Sequence, residues 1–313
     1  MLQAFTDMDE AETGMLDLPG FAAAGGPALD VTVWGARGSL PASGAAFTEY
    51  GGETCAVECR IGSHDGHALV IDAGSGLVAM GRSLVDRGVR EIDLVLSHLH
   101  YDHVMGLPFF APAHRDDVRL RIHYGGHPEA PETGEGVEAV LANYFRAPFF
   151  PVGPGCFRAD VSFHALPSGP LTLAAGAASV VHAPLTHPGG AVGYRVEREG
   201  TAFAYVTDFE QDGGAGDDSV IALAANADVA LMDATYTPDD YAPCAGYGHA
   251  HWRAAGELAV RAGARSWGLF HHHHERDDAA LARIEREAGE AFPGAFAART
   301  GQRFALGRAA RAG

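Results

Sequence analysis

The stretch LVLSHLHYDHVMGLPFF, residues 94–110, constrains the fold of this chain more than any other. It begins as an apolar run typical of a buried strand and then places His98, His100, Asp102 and His103 within six residues. Because alternate residues leaving a strand project to one side, His98 and His100 should lie together. Three imidazoles and one carboxylate at this spacing form a ligand set that suits Zn²⁺, Mn²⁺ or Fe. The stretch therefore predicts a metal centre at the end of a strand.

Short apolar runs, Gly-containing turns and amphipathic segments alternate along the rest of the chain. The pattern predicts strands at 30–35, 55–62, 67–74, 91–97, 227–234 and 266–271, a hairpin at 190–208 turning at Glu199-Gly200, and helices at 76–89, 251–263 and 276–292. Locally paired strands flanked by helices favour an α/β fold, an αββα sandwich of two mixed β-sheets with helices outside. We expect residues 29–313 to form this single domain, with a flexible N-terminal arm at 1–28 and a pocket-covering insertion at about 124–157.

The formal charge of −18, from 22 basic and 40 acidic side chains, argues against a partner bound mainly through a phosphate backbone. A small anionic substrate stays compatible with this charge where metal ions supply positive charge locally. The four cysteines include no CxxC pair, and Cys55 and Cys59 are expected as buried thiols rather than ligands. No secretory signal pattern and no membrane-spanning apolar run is present, so we expect a cytoplasmic protein without a membrane partner.

The HxHxDH spacing at 98–103 resembles the metallo-β-lactamase superfamily. The resemblance implies a third histidine before a hairpin, where His187 fits better than His182 because His182 lies inside the preceding strand pattern. It also implies a bridging aspartate after a later strand, Asp208, and a last histidine at a C-terminal strand end. The run His271 to His274 follows such a strand. His271 is the predicted ligand, His272 could line the pocket, and the last two histidines would face solvent or cap the next helix.

The set that this resemblance implies holds two divalent metal ions, with Zn²⁺ favoured over Mn²⁺ or Fe²⁺. One ion would be held by His98, His100 and His187, and the other by Asp102, His103 and His271, with Asp208 between them. Asp72, in VIDAGSG, matches the family's aspartate before a glycine turn. Its implied role is to support the ligand loop, and the alternative is a simple turn aspartate.

The segment LMDATYTPDDYAPCAGYGHAHWRAAGELA resembles the ribonuclease Z and cyclic phosphodiesterase branch, with an acidic residue, Asp233, and a histidine opening a helix, His249. DVTVWGARGSLPASG, YGGETC and PFFPVG further resemble proteins grouped with phosphoribosyl cyclic phosphodiesterases, and the likeness runs over about residues 30–290. Glu53, Tyr247 and Ala250 depart from the family's GGNT and GWGHS patterns. The long basic arm that ribonuclease Z uses on tRNA has no counterpart, so tRNA and other nucleic acids are disfavoured as partners.

The resemblance thus implies a metal-dependent phosphodiesterase that cleaves a small (cyclic) phosphodiester with a hydroxide generated between two metal ions. His249, oriented by Asp233, would contact the phosphate or protonate the leaving group, unless it only caps a helix. Phe109, Phe149 and Phe150 are expected either to wall the pocket or to belong to the core. Arg37 would either reach an anionic group or form a structural salt bridge.

Three alternative functions are known for the same scaffold, and only the first uses the full ligand set. An acyl hydrolase (a lactonase, thioesterase or β-lactamase-like enzyme) would need neither His249 nor Asp233. A non-catalytic binding protein would be expected to have lost ligands, and all seven positions are filled here. A redox di-iron protein of this superfamily generally carries a carboxylate where His100 stands. A homodimer is compatible with the resemblance.

Overall fold

The computed structural model describes residues 26–128, 130–148, 150–173 and 176–307. Two seven-stranded sheets form within these ranges. The first runs β14-β1-β2-β3-β4-β5-β6, with β1 (Leu29–Gly35), β2 (Ala56–Ile61), β3 (His67–Ile71), β4 (Glu91–Val95), β5 (Arg119–Tyr124), β6 (Asp160–Ala165) and β14 (Arg303–Leu306). The second runs β13-β12-β11-β10-β9-β8-β7, with β7 (Leu171–Leu173), β8 (Ala178–Leu185), β9 (Ala191–Arg198), β10 (Thr201–Val206), β11 (Val229–Asp233), β12 (Trp267–Phe270) and β13 (Ala295–Ala297).

Both sheets change from antiparallel to parallel pairing at their middle. In the first sheet the pairs from β14 to β3 are antiparallel and those from β3 to β6 are parallel. In the second, the pairs from β7 to β10 are antiparallel and those from β10 to β13 are parallel. Because parallel strands share one direction, their carboxyl ends collect at one edge of each sheet. This arrangement decides where the functional residues can meet.

The sheets pack face to face, and the helices cover their outer faces. One buried cluster joins alternate residues of both sheets, among them Val31, Val57, Val196 and Phe203. Two further clusters fill the space between each sheet and its helices. The helices are α1 (Leu77–Asp86), α2 (Tyr101–Val104), α3 (Gly134–Tyr144), α4 (Ala215–Ala224), α5 (Trp252–Ala262) and α6 (Asp278–Ala291). The predicted αββα sandwich of two mixed sheets is confirmed.

The hairpin at β9 and β10 turns at Glu199 and Gly200, which both have positive φ, as the sequence predicted. The predicted insertion at about 124–157 begins at the last residue of β5 and contains α3, and it connects two neighbouring parallel strands. Of the predicted N-terminal arm, residues 1–25 lie outside the described residues. Within the described ranges, no helix has the length and apolarity needed to cross a bilayer.

Candidate metal centre

Six of the seven predicted ligand residues lie just beyond the carboxyl ends of strands that take part in parallel pairs, and His187 follows the antiparallel strand β8. His98 and His100 follow β4, Asp208 follows β10, and His271 follows β12 directly. The chain turns sharply at two of these positions, because Asp208 and His271 both have a φ of 58°. Non-glycine residues in this left-handed region carry a backbone cost of about 1–3 kcal/mol and cluster at functional sites. The parallel halves of the two sheets thus bring residues more than a hundred positions apart into one cluster.

Four of the histidines are fixed by a hydrogen bond from Nδ1, which leaves Nε2 directed into the cluster. His103 Nδ1 lies 2.7 Å from Asp72 Oδ2, and His187 Nδ1 lies 2.8 Å from the Gly248 carbonyl oxygen. His271 Nδ1 lies 2.9 Å from Thr235 Oγ1, whose hydroxyl donates its own proton to the His271 carbonyl. His98 Nδ1 lies 3.1 Å from Ser97 Oγ. With the proton on Nδ1, each Nε2 carries a lone pair.

These lone pairs face carboxylate oxygens, and this is the strongest sign of a cation site. His103 Nε2 lies 3.4 Å from Asp102 Oδ2 and 3.3 Å from Asp208 Oδ2. His271 Nε2 lies 3.1 Å from Asp102 Oδ2 and 3.3 Å from Asp208 Oδ1. The Nε2 atoms of His98 and His103 are buried and have no hydrogen-bond partner. A lone pair against a carboxylate oxygen is repulsive unless a cation lies between them, so these residues fit a metal ion.

The electrostatics of His103 also indicate that the carboxylates of the cluster need a positive charge beside them. Burial alone would lower the pKa of His103, but nearby negative charges, with Asp208 first among them, raise it well above its ordinary value. A proton on His103 would therefore compensate the same carboxylates that a metal ion would neutralise. Burial would likewise raise the pKa of Asp208, but the charges of His271, His103 and His98 hold it well below its ordinary value. The cluster is built to keep its carboxylates ionised.

The ligand atoms divide into overlapping groups whose members lie within 4.8 Å of one another. His98, His100 and His187 form one group, in which His100 presents Nδ1, 3.2 Å from His187 Nε2. His98, His103 and Asp208 form another and link the two halves of the predicted set. Asp102 joins through the contacts to His103 and His271, and the Ser39 backbone N–H donates to its Oδ2 at 2.6 Å. All seven predicted ligands are therefore brought together.

Asp72 lies behind this cluster and is completely buried. Its carboxylate accepts hydrogen bonds from the Ser97 N–H and hydroxyl, both at 2.7 Å, and from the Tyr205 hydroxyl at 2.7 Å, besides its contact to His103. It also has positive φ, 62°. Asp72 thus joins the ligand loop to the core of both sheets, which is more than a simple turn aspartate would do.

His249 and Asp233 form a pair at the edge of the cluster. His249 Nδ1 lies 2.9 Å from Asp233 Oδ2, and the His249 ring stacks on His271 with centroids 4.6 Å apart. Asp233 also accepts hydrogen bonds from the backbone N–H groups of Asp208, Thr235 and Ala250. Burial would lower the pKa of His249, but the Asp233 carboxylate outweighs it and raises the pKa to about 9.

A capping role for His249 is wrong. The N-cap of α5 is His251, whose side chain accepts a hydrogen bond from the Ala254 N–H at 3.1 Å. A further group of possible ligand atoms, which lie within 4.8 Å of one another, comes from Asp208, Asp233, His249 and His271. However, the His249 atom that faces these carboxylates is Nδ1, which is already bonded to Asp233, so a cation there would have to replace that hydrogen bond.

The loop that carries His249 is anchored by Glu210, which the sequence analysis missed. The Glu210 carboxylate accepts hydrogen bonds from the backbone N–H groups of Gly246 and Gly248 and from the Tyr241 hydroxyl. Gly248 has a φ of 86°, and a Cβ there would lie 2.3 Å from His187 Nδ1. Only glycine therefore lets this loop approach His187 so closely. No periodicity marks Glu210, although it lies two residues after a predicted ligand.

Cys55 also lies closer to the site than the sequence analysis expected. Its sulfur is within 4.8 Å of ligand atoms of His103 and His271. The side chain is buried, burial raises its pKa to about 12, and the thiol donates to the Arg37 carbonyl at 3.3 Å. Cys55 therefore stays a protonated thiol in this arrangement. All four cysteines are free.

The remaining candidates point elsewhere. His182 donates to the Pro167 carbonyl, and His272 is buried with its Nε2 donating to the Ala298 carbonyl, so neither faces the cluster. His273 and His274 are half-buried and stack on each other, while Asp277 caps α6. Arg37 forms neither expected contact: its guanidinium is buried and donates to backbone carbonyls of Gly51 and Arg276.

The three phenylalanines differ from one another. Phe109 is exposed, and its ring contacts Phe150 edge-on at 5.9 Å. Phe150 lines a cavity next to the ligand loop. Phe149 lies outside the described residues.

Comparison with known proteins agrees with this geometry. A protein named ribonuclease Z, from Halorubrum lacusprofundi, is 28% identical over 273 residues, which cover 74% of this chain and 85% of that protein. The metallo-β-lactamase fold protein YhfI from Bacillus subtilis has a TM-score of 0.65 at 21% identity, covering 89% of this chain and 99% of its own. A diphosphatase of the PhnP family has a TM-score of 0.63 at 18% identity, covering 90% and 98%.

The expectation that nucleic acid is disfavoured as a partner gains no support here, because one relative is named a ribonuclease. At their low identities the two solved structures establish the fold alone. The β-lactamase superfamily domain matches residues 67–272, which contain every predicted ligand and the His249–Asp233 pair. The chain therefore belongs to the β-lactamase superfamily and is a metallo-hydrolase.

Proposed function

We propose that this protein is a phosphodiesterase that cleaves a small phosphodiester, such as a cyclic nucleotide or a cyclic sugar phosphate. The observation that carries the proposal is the His249–Asp233 pair, which lies against the ligand set without being needed to complete it. Because Nδ1 is bonded to Asp233, Nε2 of His249 is the atom available to a substrate. There it can donate a hydrogen bond to a phosphoryl oxygen or pass a proton to the leaving oxygen.

The ligand residues support a site for two ions. The two oxygens of Asp208 face different histidines: Oδ1 lies 3.7 Å from His98 Nε2 and 3.3 Å from His271 Nε2, and Oδ2 lies 3.3 Å from His103 Nε2. Oδ1 thus lies near one histidine of each predicted half, so Asp208 is the residue that would contact both ions. Zn²⁺ suits the imidazole-rich set best, with Mn²⁺ and Fe²⁺ as alternatives. Bound ions would lower the pKa of a water molecule and stabilise charge on the phosphoryl oxygens.

An RNA phosphodiester is the second candidate substrate, and the relative named ribonuclease Z favours it. The formal charge of −18 favours a small substrate instead, because an acidic surface repels a polyanion. Hydrolysis of cyclic nucleotides and of a single-stranded oligoribonucleotide, measured side by side, separates the two. The proposal also includes a cytoplasmic location, which four free cysteines favour, and a homodimer stays a prediction.

The test is hydrolysis of bis(p-nitrophenyl) phosphate by protein that is stripped of metal and then resupplied with Zn²⁺ or Mn²⁺. We expect turnover to return with metal and to fall by about 10²-fold or more in His249→Ala, as for the loss of a general acid. His182→Ala is the matched control, because His182 lies on β8 and faces away from the cluster. Full turnover in His249→Ala, or metal binding without any diester hydrolysis, would favour an acyl hydrolase acting on lactones or thioesters.

A further inference from the structure

A cavity of ≈ 550 Å³ opens beside the ligand loop. One wall comes from the loop itself, through Leu99, Tyr101 and Met105, which alternate in sequence with the ligands. The other wall comes from α3 and the residues after it, through Val140, Tyr144 and Phe145. The volume lies within the usual range for small-molecule sites, about 300–1,000 Å³, and the lining is mostly apolar and aromatic. Because Leu99 and Tyr101 each stand next to predicted ligands in the sequence, the cavity borders the ligand loop.

Aromatic side chains gather at this cavity and are unusually exposed. The rings of Tyr101 and Tyr144 lie 4.9 Å apart, and Tyr101 remains 71% exposed to solvent. Val140 on the opposite wall is 36% exposed, and Phe109 at the rim is exposed as well. Large apolar side chains gathered at a surface mark a binding site more often than chance exposure. A flat aromatic group could enter from solvent and stack there without unfolding anything.

The wall also holds an unpaired hydroxyl. The Tyr144 hydroxyl is buried and has no hydrogen-bond partner. Burial, and after it the neighbouring Tyr101 and Asp102, raise the pKa of Tyr144, so the hydroxyl keeps its proton and can donate it. A buried hydroxyl without a partner is costly, and a polar atom on the edge of a bound ring would satisfy it once a rotation of the Tyr144 side chain turns the hydroxyl into the cavity. Apolar walls with one buried donor suit a heteroaromatic ring better than an alkyl group.

We propose that this cavity binds the nucleobase of the substrate, so that the scissile phosphodiester belongs to a nucleotide. The inference rests on the proposed function, since it names the substrate class of the same site. The base would stack on Tyr101 and lie against α3, with the Tyr144 hydroxyl donating to its edge. Stacking on aromatic side chains tolerates all bases, so the cavity selects nucleotides over cyclic sugar phosphates rather than one base over another.

The experiment compares two diesters with the same leaving group, thymidine 5′-(p-nitrophenyl phosphate) and methyl p-nitrophenyl phosphate. We expect wild-type kcat/KM to favour the nucleoside ester by at least about tenfold, as base stacking provides. Val140→Trp fills the cavity from an exposed helix position and should abolish most of this preference, whereas Val260→Trp, on α5 and 62% exposed, should keep it. Tyr144→Phe should reduce it about fivefold, the effect of one neutral hydrogen bond. The readout is a ratio, so a general loss of activity cancels.

A wild-type ratio near one, or an unchanged ratio in Val140→Trp, overturns the inference while the phosphodiesterase assignment stands. If neither ester is hydrolysed, the proposed function fails, and calorimetric titration with adenosine 5′-monophosphate then tests the cavity separately. Binding that weakens at least about tenfold in Val140→Trp but not in Val260→Trp supports the base site, and equal binding in both refutes it. Relative rates on the dinucleotide ApA and on a ten-residue single-stranded oligoribonucleotide show whether the base belongs to a small nucleotide or to an RNA end.

Discussion

Two clusters of histidine and aspartate lie along β4, and the imidazoles of the two clusters direct their N–H groups differently. The first is the metal-ligand cluster beyond the end of the strand, around Asp208. The second surrounds Asp93 inside the strand, and Asp93 is as buried as five of the seven ligands. Asp93 contacts His67 Nε2 at 2.6 Å and His123 Nε2 at 2.9 Å, and it accepts two hydrogen bonds from Arg121.

In the Asp93 cluster every atom that faces the carboxylate can be a donor, and Arg121 supplies a permanent positive charge. In the metal-ligand cluster the donors of the imidazoles are used on Asp72, Ser97, Thr235 and Gly248, so lone pairs face the carboxylates. The difference teaches that residue types alone do not make a metal site. The direction in which each histidine donates its proton decides whether a carboxylate is already satisfied or still needs a cation.

The largest expected effect is on bound metal and turnover. Asp208→Ala removes the carboxylate that faces both halves of the ligand set, so we expect loss of metal and a fall in diester turnover on the order of 10³-fold, about 4 kcal/mol. Asp93→Ala should keep the metal content of wild type. Elemental analysis of both variants after purification in Zn²⁺-containing buffer checks the contrast. Equal metal loss in both variants would show that the direction of histidine donation does not separate the two clusters.

Stability should respond in the reverse order. Asp93→Ala removes the carboxylate that His67, His123 and Arg121 contact, while Arg121 keeps its ion pair with Glu91, so we expect the free energy of unfolding to fall by about 1–3 kcal/mol. Without metal, Asp208→Ala should change the free energy of unfolding less than Asp93→Ala does, because the cost of burying the Asp208 charge disappears together with its attraction to protonated His103. Urea unfolding of the metal-free proteins measures both. A metal-free Asp208→Ala protein less stable than Asp93→Ala would contradict this comparison.

Asp72 provides a smaller and more specific test. Asp72→Asn keeps the shape of the side chain but weakens its hold on His103 Nδ1, so we expect Zn²⁺ affinity to fall about 10- to 100-fold. Competition with a chromophoric chelator measures this affinity. Asp93→Asn serves as the matched control, because it is an equally conservative change at a buried aspartate of the same sheet. An unchanged affinity in Asp72→Asn would reduce Asp72 to a structural residue.

The sequence was most informative where ligands are close together in the chain. Four ligands within six residues, and a strand ending at Phe270 just before His271, could be read directly from the pattern. The hydrogen bonds that orient the cluster could not be predicted from the sequence, because they depend on tertiary partners such as Ser39, Thr235 and Glu210, which carry no periodic signal. The tautomers of the histidines follow from the Nδ1 partners Asp72, Ser97, Thr235 and the Gly248 carbonyl, of which the sequence predicted only Asp72 as a support of the ligand loop.

Elements that depend on long-range pairing were missed for a similar reason. The short strand β14 pairs with β1 across almost the whole chain, and its four residues are too few for a pattern. The helix α4 is rich in alanine and has little amphipathic contrast, so burial between α5 and β8 rather than periodicity defines it. The sequence also did not show which histidine caps α5, because His249 and His251 are only two residues apart and only His251 accepts the capping hydrogen bond.

The smallest predicted effect concerns acid stability. Burial would raise the pKa of Asp93, but the hydrogen bonds from His123, His67 and Arg121 outweigh it and hold the pKa well below its ordinary value. A carboxylate with a lowered pKa in the folded state contributes stability above its unfolded pKa, about 3.9, and loses it as the pH falls below that value. The stability difference between wild type and Asp93→Asn should therefore shrink as the pH falls below about 4. Thermal unfolding of the two metal-free proteins at pH values above and below about 4 checks it. A difference that grows as the pH falls would mean that Asp93 is protonated in the folded state. The contrast between donors that face Asp93 and lone pairs that face Asp208 would then be wrong.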